Sequence, residues 1–179
     1  IYDNGFIYES TGQYGFSTIA KIDLESGRVI EEIALDKKYF GEGLTMINRE
    51  LIQMTWKSGQ VFRYTTEPLQ RAEEYDIGAE AWGLTTAGAD LIMSDGSAQL
   101  HWLNPKTLTK TQTKTVTFAG RPLKRLNELE WHQGCLFANI WQSTEIVLID
   151  PISAKVEFSL DISKLAASEL ARSKHHVAN

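Results

Sequence analysis

The feature that most constrains this chain is an internal repeat. Four short segments share one pattern: Phe6-Ile7-Tyr8-Glu9-Ser10, Leu51-Ile52-Gln53-Met54-Thr55-Trp56, Leu91-Ile92-Met93-Ser94-Asp95 and Leu136-Phe137-Ala138-Asn139-Ile140-Trp141. Their markers Ile7, Ile52, Ile92 and Phe137 follow one another at steps of 45, 40 and 45 residues. A second marker keeps the same step: Gly43-Leu44, Gly83-Leu84 and Glu128-Leu129. Each unit then carries an alternating run, such as Gln60-Val61-Phe62-Arg63-Tyr64 or Glu145-Ile146-Val147-Leu148-Ile149, a Gly or Pro turn, and a polar closing run. Four strands per unit of about 40–45 residues is the arithmetic of a β-propeller blade.

Turn chemistry supports the strands. Glu25-Ser26-Gly27, Lys57-Ser58-Gly59, Ser94-Asp95-Gly96-Ser97, Asn104-Pro105 and Asp150-Pro151 bracket the runs. The Thr-rich alternation from Thr107 to Thr117 reads as an outer, solvated edge strand whose lysines discourage pairing with another chain. Residues 161–171 break the pattern. With Asp161 as N-cap, and with Leu165 and Ala166 at helical spacing from Ile162, they predict a short helix packed on the propeller. The tail from Arg172 is expected to be exposed. Because the chain begins inside one unit and stops on a helix, residues 1–179 are expected to form a single propeller domain, either a small four-bladed ring or one truncated at both ends.

Composition excludes several classes. Apolar residues at 42% and charged residues at 23% fit a globular chain of 179 residues. No run approaches the roughly 18 apolar residues of a helical membrane span. A net charge of −5 argues against a nucleic-acid partner, and no aromatics interleave with the lysines of the Thr-rich strand. The single cysteine, Cys135, excludes an internal disulfide and a Cys-cluster zinc site. His101 and His132 lack partners at metal-ligand spacing, and His175-His176 sits in the tail, so structural or incidental roles are expected for all four. Cys135 reads as a small buried residue, and Ser94-Asp95-Gly96-Ser97 as a hairpin turn rather than a calcium loop.

In a propeller the innermost strands line a central channel. The candidates are Phe40-Gly41-Glu42-Gly43-Leu44-Thr45, Glu80-Ala81-Trp82-Gly83-Leu84-Thr85 and Leu126-Asn127-Glu128-Leu129-Glu130-Trp131. Strict alternation sets Glu42 with Phe40 and Leu44, Trp82 with Leu84, and Asn127 with Leu129 and Trp131. The repeat therefore places Glu42, Trp82 and Asn127 at equivalent points of three blades, with convergence on the channel as the expectation. A carboxylate enclosed beside indoles has the surroundings that raise its pKa toward proton-transfer duty. Glu42 bonded to backbone N–H groups in a tight bend stands equal beside that reading. Inter-blade packing is the competing reading for Trp56, Trp82 and Trp141, and backbone bonding for Asn127.

Across these residues the sequence resembles the glutamine cyclotransferase family, the plant and bacterial type of glutaminyl cyclase. The stretches that carry the likeness are Tyr8-Glu9-Ser10-Thr11-Gly12-Gln13-Tyr14-Gly15, Phe40-Gly41-Glu42-Gly43-Leu44-Thr45, Leu51–Trp56, Trp82-Gly83-Leu84-Thr85, Ser94-Asp95-Gly96-Ser97, Leu126–Glu130 and Ala138-Asn139-Ile140-Trp141. The resemblance implies an all-β, five-bladed propeller with its terminal blade incomplete here and a short C-terminal helix. It implies cyclisation of N-terminal glutamine to pyroglutamate with release of ammonia, with no cofactor and no catalytic metal. It assigns catalysis to Glu42 and a polar substrate contact to Asn127. The pocket falls to Phe40, Trp56, Trp82 and Trp141, with Glu9 as a further candidate. The implied partners are peptides or proteins with N-terminal glutamine, acted on by a monomer in the periplasm or outside the cell. Two family strands have no counterpart here: an opening Phe-Thr-Gln/Glu-Gly-Leu strand, and an Asn-Gly-Ile-Ala segment that would begin near Val177-Ala178-Asn179. A non-catalytic propeller binding peptides or proteins stays open as the alternative, as does an interaction domain left by truncation.

Overall fold

The computed structural model describes residues 1–172. Its strands form four antiparallel meanders, one per sequence repeat. The first blade holds β1 (Tyr2–Asp3), β2 (Phe6–Ser10), β3 (Thr18–Asp23) and β4 (Val29–Ala34). The second holds β5 (Gly41–Ile47), β6 (Glu50–Thr55), β7 (Gln60–Thr66) and β8 (Leu69–Asp76). The third holds β9 (Leu84–Ala87), β10 (Asp90–Ser94), β11 (Gln99–Leu103) and β12 (Lys110–Thr115). Two short strands, β13 (Thr117–Phe118) and β14 (Arg121–Pro122), precede β15 (Leu126–His132), β16 (Cys135–Ile140), β17 (Glu145–Asp150) and β18 (Lys155–Asp161). β13 runs parallel to β18 and so joins the outer edge of the fourth blade. The helix α1 spans Ser163–Arg172.

Strand alternation explains why the second strands of the middle blades read as unbroken apolar runs. Successive side chains point to opposite faces, and in a blade with neighbours on both sides both faces are buried. Thus Leu51 packs with Tyr8, Ile19 and Leu44 between the first and second blades. Its neighbours Ile52 and Met54 pack with Leu84, Leu91 and Met93 between the second and third. Ile92 turns the other way, toward Leu126, Leu136 and Val147 of the fourth blade. The first and fourth blades each bury only one face in these cores. Their other faces, carrying Ile7 and Glu9 on β2 and Phe137 and Asn139 on β16, line a cavity.

The inner strands pass very close to one another, which accounts for the repeated glycine. A Cβ on Gly83 would lie 2.2 Å from the Asn127 carbonyl oxygen, and one on Gly43 would lie 2.5 Å from the Leu84 nitrogen. Glu128 holds the equivalent place on β15, on the cavity side of the last inner strand.

Three local expectations change. Strict alternation on the inner strands fails because β5 carries a bulge between Gly41 and Leu44, and β15 carries one between Leu126 and Leu129. In the third blade Glu80–Gly83 is not strand at all; β9 starts at Leu84. The Thr-rich edge strand begins at Lys110 rather than Thr107. Residues 104–109 form a turn in which Leu108 is buried with φ of 57°, so its side chain leaves the alternating face. Lys114 on that strand is tied down, donating to the Pro151 and Ile152 carbonyls. The helix starts two residues after Asp161, whose carboxylate accepts the Ser163 N–H at 2.8 Å. Leu165 is 60% exposed, so the expected packing of this helix on the propeller is thin. His175, His176 and the segment Val177–Asn179 lie outside the described residues.

Candidate active site

Glu42 is presented by the β5 bulge, and a buried polar chain fixes that bulge. The Tyr64 hydroxyl donates to Gln53 Oε1 at 2.8 Å, and Gln53 Nε2 donates to Ser10 Oγ at 2.8 Å. Ser10 Oγ in turn donates to the Glu42 carbonyl at 2.7 Å. On the far side of Glu42, the Gly43 N–H donates to the Trp82 carbonyl at 2.7 Å. The backbone groups around Glu42 are therefore satisfied by the fold, and its side chain is left to face the cavity.

That cavity measures about 420 Å³ and lies where the first and fourth blades meet the second. The charged side chains on its wall are all acidic: Glu9, Glu42, Glu128 and Glu130. Burial, reinforced by the negative charges of Glu128 and Glu80, pushes the Glu42 carboxyl up to about 8. Burial also raises Glu128, to about 7, against the opposing pull of the Leu129 and Leu84 N–H groups. Glu128 is nonetheless exposed by surface area. The blades enclose it on its strand side while its surface stays open to the cavity, and the enclosure is what moves its carboxyl upward.

A second group of residues forms an aromatic wall. Phe40 and Trp56 lie 5.6 Å apart between ring centres, and Tyr14 meets Phe40 edge-on at 5.4 Å. Trp82 meets Trp141 edge-on at 5.5 Å. The two halves of the wall are joined by Glu80. One of its carboxylate oxygens, Oε1, accepts the Trp56 indole N–H at 2.7 Å and the Trp82 indole N–H at 2.8 Å. Trp82 also lies flat against Gly96, where a Cβ would fall 2.6 Å from the indole ring; φ of +76° further restricts this position to glycine. Trp56, Trp82 and Phe40 are half-buried and Trp141 is 41% exposed. None is a fully buried inter-blade wedge, the competing reading for the three tryptophans.

Asn127 and Trp141 line a hollow of about 710 Å³ with Gln142, Thr144 and Ile162. Asn139 lines both this hollow and the Glu42 cavity. The expected convergence of Glu42, Trp82 and Asn127 on one channel is corrected accordingly. Glu42 and Glu9 share the cavity, Trp82 belongs to the aromatic wall, and Asn127 lies in the neighbouring hollow. The bulges are the reason, since they rotate residues that strict alternation sets in line.

Sequence reasoning missed Glu80, Glu128, Tyr14 and Asn139. Glu128 had a signal: it replaces the glycine of the Gly-Leu marker in the one unit where a side chain fits. Glu80 had none, because its partners lie 24 and two residues away and meet it only through the fold.

His101 behaves as a structural residue. His101 is buried, with Nε2 at 2.9 Å from Asp95 and Nδ1 at 3.0 Å from Thr113. Burial by itself would raise Asp95, but its bonds to His101 and Ser97 hold it at about 2. Cys135 is half-buried at the start of β16 rather than fully buried. Among the described residues no three His, Cys, Asp or Glu side chains are grouped as metal ligands. Nor is any described helix long and apolar enough to cross a membrane.

The comparisons with known proteins bear on the family and the fold. The family model for glutamine cyclotransferase matches residues 1–179. A glutaminyl-peptide cyclotransferase of Arabidopsis thaliana is 36% identical over 173 residues, covering 96% of this chain and 54% of the relative. This chain thus spans about half the length of that curated relative. The crystal structure of Myxococcus xanthus glutaminyl cyclase superposes with a TM-score of 0.86 at 30% identity, over 98% of this chain and 72% of that one. A chain described as U3-55K shares the fold alone, at a TM-score of 0.59 and 12% identity over 87% of this chain and 47% of its own. On the whole-chain family match, and with Glu42 set in a cavity beside an aromatic wall, the chain belongs to the glutamine cyclotransferase family.

Proposed function

We propose that this chain carries the site of a glutaminyl-peptide cyclotransferase, which closes N-terminal glutamine to pyroglutamate and releases ammonia. The observation that carries the reading is Glu42, presented by the β5 bulge into a cavity whose charged side chains are all acidic and whose enclosure pushes its carboxyl up to about 8. A peptide N-terminus arrives as an ammonium of pKa about 8, and acidic walls favour it. The carboxylate of Glu42 takes one of its protons, freeing the lone pair to attack the side-chain carboxamide carbon. As the new N–C bond forms, the attacking nitrogen gives up its second proton to solvent, the carboxamide C–N bond breaks, and Glu42 returns the first proton to the departing ammonia. Matched pKa values on donor and acceptor keep both transfers near balance. Asn127, on the adjoining hollow, serves as the polar contact to the carboxamide oxygen. Phe40, Trp56, Trp82 and Trp141 hold the flexible side chain folded for attack and keep out the water that would hydrolyse it. Glu9 shares the cavity with Glu42 and adds to the field that draws the amine.

The reading extends to a five-bladed ring, supported by the chain matching 54% of one relative's length and 72% of another's. It extends also to a monomer acting on peptides or proteins with N-terminal glutamine, in the periplasm or outside the cell. The test is to incubate the purified chain with a glutaminyl peptide and measure ammonia together with loss of its mass from the peptide. An asparaginyl peptide serves as control. Absence of both signals, in this chain and in the longer gene product alike, would leave the peptide-binding propeller as the better account.

A further inference from the structure

We propose that Glu80 is a positioning residue of this site, clamping Trp56 and Trp82 through one carboxylate oxygen and setting a carboxylate between the two halves of the aromatic wall. The proposal rests on the cyclotransferase reading for its consequence in catalysis.

The geometry is specific. Trp56 follows the last residue of β6 and Trp82 precedes β9, so the two indoles come from different blades. The segment between the blades is pinned at both ends. The Ala81 N–H donates to the Trp56 carbonyl at 3.4 Å, and the Trp82 N–H donates to the Ser94 carbonyl at 3.0 Å. Glu80 is thereby inserted between the rings, where Oε1 accepts both indole protons at 2.7 and 2.8 Å. An indole has a single N–H donor, so holding that donor, with the ring tethered at its Cβ, narrows the orientations open to it. Hydrogen bonds to a charged acceptor are the stronger kind. Half-buried aromatics keep rotamer freedom that full burial would remove, and this carboxylate restricts it.

The electrostatic half follows from what faces Glu42. From β2 comes Glu9, from β15 come Glu128 and Glu130, and ahead of β1 comes the Ile1 ammonium, the one cation among the described residues on that wall; Glu80 acts from the segment ahead of β9, outside the cavity lining. Glu80 and Glu128 are the two carboxylates whose charges raise Glu42. Burial is the larger cause, and the charge of Glu80 adds to it beside that of Glu128.

Glu80→Gln and Glu80→Ala separate the two halves. A glutamine side-chain oxygen still accepts both indole protons but carries no charge, whereas alanine offers neither. Indole N–H signals in nitrogen-15 NMR spectra, assigned with Trp56→Phe and Trp82→Phe, are expected to move upfield and exchange faster in E80A. They stay near their wild-type positions in E80Q. The Glu42 carboxyl titration, followed by carbon-13 NMR, is expected to move to lower pH in both variants. In an active preparation KM for a glutaminyl peptide rises roughly tenfold in E80A, the size of one lost charge-assisted hydrogen bond. In E80Q the acid limb of the rate profile moves to lower pH with KM largely kept. Unmoved indole signals in E80A, or an unmoved Glu42 titration in E80Q, would overturn the proposal. Variants that show both NMR effects, beside a wild-type protein that releases no ammonia, would instead refute the cyclotransferase reading and leave the clamp standing.

Discussion

Replacing Glu42 by glutamine should make the protein less active and, at alkaline pH, more stable. The fold holds this carboxyl up at about 8 against an ordinary 4.5. At ~1.4 kcal/mol per pH unit that gap sets a ceiling of about 5 kcal/mol on what ionisation takes from the native state. The sign follows from proton linkage. Between 4.5 and about 8 the folded protein keeps a proton that the unfolded chain releases, so stability is fully present below 4.5 and is lost as pH rises through about 8. The half-buried carboxylate is partly screened by cavity water, and its ionisation is shared with Glu128, so a net effect of ~1–3 kcal/mol is the reasonable expectation. Urea denaturation of wild type and Glu42→Gln at pH 4 and pH 8 measures it. The two should match at pH 4, and the variant should be the more stable by ~1–3 kcal/mol at pH 8. Its turnover of a glutaminyl peptide should meanwhile fall at least ~10²-fold, the usual contribution of a positioned proton carrier. A variant no more stable than wild type at pH 8 would refute the enclosed-carboxyl reasoning, and wild-type turnover would remove Glu42 from catalysis.

Gly83→Ala should destabilise the fold by ~2 kcal/mol or more, since its Cβ would fall 2.2 Å from the Asn127 carbonyl oxygen on the next inner strand; a melting temperature equal to wild type would contradict that close approach. Trp82→Ala should raise KM for a glutaminyl peptide more than it lowers stability, because the ring is only half-buried and stands in the aromatic wall against Trp141. A loss of ~3–5 kcal/mol with normal turnover per folded molecule would place it in the core instead. EDTA should leave ammonia release intact, given a donor set with no three metal-ligating side chains grouped among the described residues; loss restored by zinc would count against this. Asp95→Asn should destabilise at neutral pH by about 1 kcal/mol after allowing for solvent screening, with the difference vanishing as pH falls through about 2. An equal gap at pH 2 and pH 7 in thermal melts would show that the Asp95–His101 contact does not depend on the carboxylate charge.

The sequence by itself determined the four blades, the identity of their inner strands and the family. A repeat of 40–45 residues, paired with turn chemistry and period-two runs, admits few architectures, and residues such as Leu51 and Ile52 must each find a separate buried face. It also marked Glu42, Phe40, Trp56, Trp82, Trp141, Asn127 and Glu9 as the residues to watch. Only the tertiary structure decided how these are grouped. Two bulges and the irregular Glu80–Gly83 segment shift the inner-strand side chains off the alternation that local sequence predicts. The carboxylate beside the indoles was invisible for a related reason. Glu80 meets Trp56 across 24 residues of chain, and Glu42 meets Glu128 only because blades four and two face one cavity. Local pattern records which face a side chain leaves its own strand by. Which charges and rings it then encounters depends on the close packing of backbone from separate blades, and that is fixed only when the ring of blades is assembled.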